Sequence, residues 1–219
     1  MIFSLFRRLK RIAVIVLRYY SPLCSYGIAL FHLRKNYHRR WQRIRSHYML
    51  LDIGCGNGFT MSIIRGFYKG VAIGLDVNVQ MCKRCKSKST HDDVILASAS
   101  KLPFISETFD IAVAFEVIEH LPKEAGYKML DELDQVAKHI ILTTHKGFVP
   151  RVDGKFGWSH LSGWLPSEFK AFGWRVYGAP GDPRKGPLGI LSIIIQRLVL
   201  PLSYFAPRTR LAKHMVVVK

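Results

Sequence analysis

Between residues 49 and 143 short apolar runs alternate with longer stretches in which apolar and polar residues are mixed. Met49 to Ile53, Val71 to Asp76, Val94 to Ala97, Ile111 to Phe115 and His139 to Thr143 have the length and character of buried strands. Met61 to Tyr68, Val79 to Lys86 and Ala125 to Val136 read as the helices between them, with a turn near Lys101. Trp174 to Tyr177 and Lys213 to Val218 give a sixth and a seventh strand, and Pro166 or Ser167 starts a helix before the sixth. Alternation of this kind predicts an α/β chain with a doubly wound, mostly parallel sheet, which binds ligands beyond the carboxyl ends of its strands.

The most informative stretch is Met49 to Thr60. An apolar strand passes through Asp52 into glycines at 54, 56 and 58, and apolar residues at 59, 61, 63 and 64 then begin a helix. Glycines at such a break allow positive φ and the close approach of a ligand. A dinucleotide loop places its third glycine five residues after the first; here that position is Phe59. The second strand ends on Asp76, at the distance expected of a carboxylate that holds a ribose hydroxyl pair.

The spacing Asp52-x-Gly54-x-Gly56-x-Gly58 resembles motif I of the class I S-adenosylmethionine-dependent methyltransferases. Leu102-Pro103-Phe104, Phe109-Asp110 and Glu116-Val117-Ile118-Glu119-His120-Leu121 look like the signature of the methyltransferase 11 branch, and the likeness covers roughly Tyr48 to Tyr177. His160, Ser162, Trp164, Glu168 and Phe169 resemble a further turn and helix of that family. The resemblance implies a Rossmann-like seven-stranded sheet with an antiparallel last strand, and S-adenosylmethionine as cofactor. It also implies that Asp52, Gly54, Cys55 and Gly56 hold the methionine end and ribose, that Asp76 accepts the ribose hydroxyls, and that Val77 packs on adenine. Ala97-Ser98-Ala99 stands where relatives read Gly-Asp-Ala, the Asp receiving the adenine amino group; Ser98 offers a hydroxyl in its place and Ala99 its backbone for a ring nitrogen. Glu116 is expected to face the methionine part.

Candidate catalytic residues are His120, Glu119, His145 and His160, with His145 read as part of a loop beyond the fifth strand. An imidazole titrates near neutrality and suits a general base. Some methyltransferases with a similar E-x-x-E-H stretch bind a divalent metal, and His160 or His145 would complete such a set. Many relatives with the same letters need none, and no metal is assigned.

Charge divides the chain further. The formal net charge is +18, yet residues 49–183 carry fifteen groups of each sign. The excess lies at the ends: eleven Lys and Arg before residue 49, seven after Asp182, and no acid in either region. This separates a basic N-terminal extension, 1–47, from a domain spanning 48–219, with an apolar helical insertion at 188–205 too short to span a bilayer. Met1 to Tyr20 forms a basic amphipathic helix of the interfacial type or a cap on the core, and Ser25 to Ser46 reads as a helix rich in arginine and aromatics. An anionic membrane surface is the favoured partner of the ends, with nucleic acid the weaker alternative. Cys24, Cys55, Cys82 and Cys85 without a cleavable signal pattern suit reduced thiols in the cytoplasm, peripheral on the membrane; Cys82-x-x-Cys85 lacks companions for zinc.

The sequence thus predicts a methyltransferase acting on a small or lipid-linked acceptor. A nucleic-acid methyltransferase and a non-catalytic protein of the same fold are the rival readings. Nothing in the sequence fixes the oligomeric state.

Overall fold

The computed structural model describes residues 28–35, 48–150, 159–179, 204–207 and 212–219. The amphipathic helix expected at Met1 to Tyr20 and most of the 188–205 insertion lie outside the described residues.

Seven strands form one sheet: β1 (Met49–Ile53), β2 (Val71–Asp76), β3 (Asp93–Leu96), β4 (Phe109–Phe115), β5 (Ala137–His145), β6 (Arg175–Ala179) and β7 (His214–Val218). Their order is 3-2-1-4-5-7-6. Neighbours from β3 through β5 run parallel, and β7 is antiparallel to both β5 and β6. Helices α1 (Phe59–Ile64), α2 (Val79–Ser87), α3 (Lys123–Val136) and α4 (Pro166–Ala171) lie between them, and a 3-10 turn covers Ile118–His120. This is the seven-stranded, Rossmann-like sheet with an antiparallel last strand that the sequence predicts.

Both faces of the sheet are covered, so adjacent strand residues enter different cores. Leu51, Ile53, Ala112, Ala114, Ile140, Leu142, Met215 and Val217 face α3 and Trp164. Leu50, Ile111, Val113, Ile141, Val216 and Val218 face α1 and the helical residues 28–35. Asn78 starts α2 by accepting the N–H groups of Gln80 and Met81. Pro166 opens α4, where Glu168 accepts the Leu165 N–H at 2.8 Å. Helix α1 is shorter than the periodicity predicts and gives way to turns at Arg65 and Gly66.

Two findings alter the expected layout. Ile28, Ala29 and Leu33 are buried in the same core as Leu50 and Tyr68, so this part of the basic N-terminal stretch belongs to the domain's interior. Its His32 stacks on Tyr177 and shares a 3.0 Å hydrogen bond with the Tyr204 hydroxyl. In addition β5 runs on through His145, which the sequence places in a loop; pairing with β7 extends it.

Burial, aided by Lys35 and Arg175, lowers the His32 pKa from 6.5 to about 4. A folded value below the unfolded one means that this contribution to stability is present above pH 6.5 and is lost as pH falls through about 4. Urea unfolding across that window is expected to show a loss of up to about 3 kcal/mol, most of it absent in His32→Gln.

Gly126 lies within α3, where glycine costs about 1 kcal/mol relative to alanine. A Cβ there would sit 2.3 Å from Trp164 Cζ2. Gly126→Ala is therefore expected to lower the urea midpoint, with about 1–3 kcal/mol of overpacking outweighing the gain in helix propensity.

Candidate active site

The glycine loop crosses the carboxyl end of β1. Gly54 takes φ +64°, and a Cβ there would lie 2.5 Å from Val117 Cγ2, so the loop touches the segment leaving β4. Gly56 takes φ +54° and donates its N–H to Asp76 Oδ2 at 2.9 Å, while Asn78 N–H donates to Asp76 Oδ1 at 2.8 Å. Each oxygen of Asp76 keeps a second lone pair, which is what two vicinal hydroxyls require. Val77, beside it, is 76% exposed and leaves an apolar surface open for a ring.

Other expected contacts look different in space. Asp52 is buried, and its Oδ2 lies 3.0 Å from His91 Nε2; its carboxylate faces inward rather than into the pocket. Nδ1 of His91 approaches Cys85 Sγ at 3.2 Å and Thr90 Oγ1 at 3.1 Å. Burial opposes the imidazolium, but Asp52 and Cys85 outweigh it and raise His91 to about 9. Burial likewise pushes the Asp52 carboxyl up against the pull of His91; both movements describe one proton held between the two groups. Cys85, hydrogen-bonded by Cys55 and by His91, is lowered to about 5, and Cys55 moves upward in response. The Cys55 thiol therefore turns into a sulfur cluster with Cys82, Cys85 and Val94, leaving its backbone to line the loop.

Ser98 engages its own turn. Its Oγ accepts the Ser100 N–H at 3.3 Å and lies 3.0 Å from the Ser100 hydroxyl, and Ala99 is buried.

The strongest grouping stands beyond β4, β5 and β7. Glu116 has φ +55°, a conformation unusual for a side-chain-bearing residue, and its N–H donates to Thr143 O. This turn brings Glu116 Oε2 within 3.4 Å of His145 Nε2 and 4.0 Å of His214 Nδ1. Burial opposes the Glu116 anion, but His214 and His145 outweigh it and hold its pKa low. Glu119 is the opposite case: burial, then the nearby Glu116, push it well above the usual carboxyl range, and Thr144 Oγ1 donates to its Oε2. His120 Nδ1 donates to Ser159 O at 3.0 Å, and His160 Nδ1 donates to Val149 O at 2.7 Å. Carbonyls on Nδ1 leave Nε2 of both rings as lone-pair acceptors.

The turn that carries His160 is fixed by the residues around it. Leu161 and Ser162 N–H groups donate to Glu119 O, Ser162 Oγ donates to Ile118 O, and Trp164 Nε1 donates to Ser162 Oγ. His160 comes to rest edge-on to His120, with ring centroids 5.0 Å apart, and 5.1 Å from His145. All four candidate catalytic residues, His120, Glu119, His145 and His160, thus meet in one place together with Glu116.

Two residues of these clusters escape the sequence reading. His91 lies in an unremarkable loop, and only its fold neighbour Asp52 gives it meaning. His214 begins β7, and the antiparallel register that pairs it with His145 is the signal that would have found it.

Fold and site together point to a class, that of the S-adenosylmethionine-dependent class I methyltransferases, and residues 51–139 match the model of the methyltransferase-domain family. Within the class, the chain is similar to an uncharacterized protein of Methanocaldococcus jannaschii, 38% identical over 74 residues, which are 34% of this chain and 27% of that one. It is also similar to the tRNA (carboxymethyluridine(34)-5-O)-methyltransferase of Arabidopsis thaliana, 33% identical over 91 residues, covering 41% of this chain and 21% of the plant protein. The chain spans about a quarter of the length of these relatives. The crystal structure of a SAM dependent methyltransferase from Archaeoglobus fulgidus has the same fold, with a TM-score of 0.52 and 16% identity over 86% of this chain and 93% of that one. Among the described residues no helix is long and apolar enough to cross a membrane.

Proposed function

We propose that the protein transfers a methyl group from S-adenosylmethionine to a small or lipid-linked acceptor that presents an ionisable hydroxyl or amine. The observation that carries this reading is the open carboxylate of Asp76, oriented by the Gly56 and Asn78 N–H groups beside the glycine loop. Methyl transfer from a sulfonium is an in-line displacement, so the protein's tasks are to position the two reactants and to take up the acceptor's proton. With Nδ1 of His120 and of His160 donating to a carbonyl, the neutral ring carries its lone pair on Nε2, the atom through which a general base would act. Phe148, Val149 and Leu161 are exposed beside His160 and favour an acceptor with an apolar part.

A second reading, RNA as acceptor, is favoured by the net charge of +18 and by the name of the plant relative. Labelled S-adenosylmethionine incubated with the protein and with either membrane-lipid extract or total RNA separates them. Label entering the lipid fraction supports the first reading; label entering RNA moves the assignment to the second. Cofactor binding that is absent, or is unchanged in Asp76→Ala, removes both.

A further inference from the structure

The groups around Glu116 go beyond what a proton acceptor needs. Glu116, His145 and His214 each offer one ligand atom, and the three lie within 4.8 Å of one another. They come from three strand ends that the topology makes neighbours: the residue after β4, the last of β5 and the first of β7, with His145 and His214 paired in register. The set keeps one residue of the E-x-x-E-H stretch and takes the other two from outside it.

Distances and chemistry agree on a ligand. Tetrahedral zinc-type coordination with bonds of about 2.0–2.2 Å puts neighbouring donor atoms roughly 3.3–3.6 Å apart. Glu116 Oε2 to His145 Nε2 is 3.4 Å. His214 Nδ1 stands at 4.0 Å, within reach of a small ring rotation. Glu116 Oε1 is buried and, the neutral Glu119 carboxyl beside it aside, has no hydrogen-bond partner. Its ion-pair partners among the described residues are imidazoles, themselves common metal ligands, rather than a lysine or arginine that would neutralise it permanently. The left-handed backbone of Glu116 costs about 1–2 kcal/mol and aims the side chain at this spot.

We propose that Glu116, His145 and His214 bind one divalent transition-metal cation. Two imidazoles and one carboxylate suit Zn²⁺, Co²⁺, Fe²⁺ or Mn²⁺ better than Mg²⁺ or Ca²⁺, which prefer all-oxygen shells. Three protein ligands leave a fourth position, which water or another oxygen donor would take. The site is independent of the methyltransferase reading, since metal binding requires no cofactor.

Full-length protein stripped with a chelator and titrated with Co²⁺ tests the assignment, because four-coordinate Co²⁺ absorbs strongly in the visible. One equivalent is expected to produce that band. Glu116→Gln, which keeps the side chain's size, and His214→Ala are each expected to weaken binding by more than the roughly 10–100-fold that outer-shell partners contribute. His120→Ala, outside the ligand set, is expected to keep the band. Circular dichroism and urea unfolding measured on the same samples report whether each variant is folded. Folded wild-type protein that develops no band overturns the proposal, as does a folded Glu116→Gln or His214→Ala that titrates like wild type.

Discussion

Asp76→Ala is expected to weaken S-adenosylmethionine binding by at least roughly 100-fold while leaving the sheet folded. The carboxylate would accept two hydrogen bonds from the ribose, and bonds to a charged acceptor contribute about 1.5–3 kcal/mol each. Its other two partners are the N–H groups of Gly56 and Asn78. Both lie near solvent, so water replaces Asp76 there at small cost. Asp76→Asn separates charge from shape: one amide oxygen still accepts, but the amide NH2 opposes whichever donor it faces. Titration calorimetry with the three proteins should rank them wild type, Asn, Ala. Equal affinity in all three would place the cofactor elsewhere or nowhere.

Trp164→Ala should produce the largest loss of stability, about 3–5 kcal/mol, as for other fully buried aromatics cut to alanine. The ring is 0% exposed and does several jobs. It fills the space over Gly126, stacks edge-on with Tyr127, lies under Lys123 Nζ at 3.6 Å, and ties its indole N–H to Ser162. Ser162 in turn holds Ile118 O, beside the turn that carries Glu119 and His120. Trp164→Phe should recover part of the packing without the Ser162 bond, so urea unfolding is expected to place it between wild type and Ala. If the Phe variant regains stability but not methyl transfer, the indole hydrogen bond positions His160 as well as filling the core.

The strands were readable in the sequence because both faces of this sheet are buried and each strand is an apolar run; β1 and β2 match their expected limits. The pocket's cofactor side was readable for a related reason. Its glycines and Asp76 follow directly from strand ends, so local order sets their positions. Asp52 shows where that logic stops. Its type and place suggested a ligand contact, but the side-chain direction depends on His91, which arrives from the loop after α2. His214 shows the same for the acceptor side, since its role depends on which strand β7 lies beside. Residues 28–35 were read as part of a charged appendage because composition averages over a stretch, whereas burial picks out Ile28, Ala29 and Leu33.

The place of β7 between β5 and β6 also sets an order in time. On a ribosome, β1, β2, β3 and β4 emerge within residues 49–115, and with the short parallel crossovers between them they can assemble the cofactor cradle early. The acceptor wall cannot close then, because His145 must wait for a strand that begins at residue 214. Closing that long loop is the slow, non-local step of the fold. A nascent chain of this protein would therefore gain the means to hold the methyl donor before it gains the means to use it.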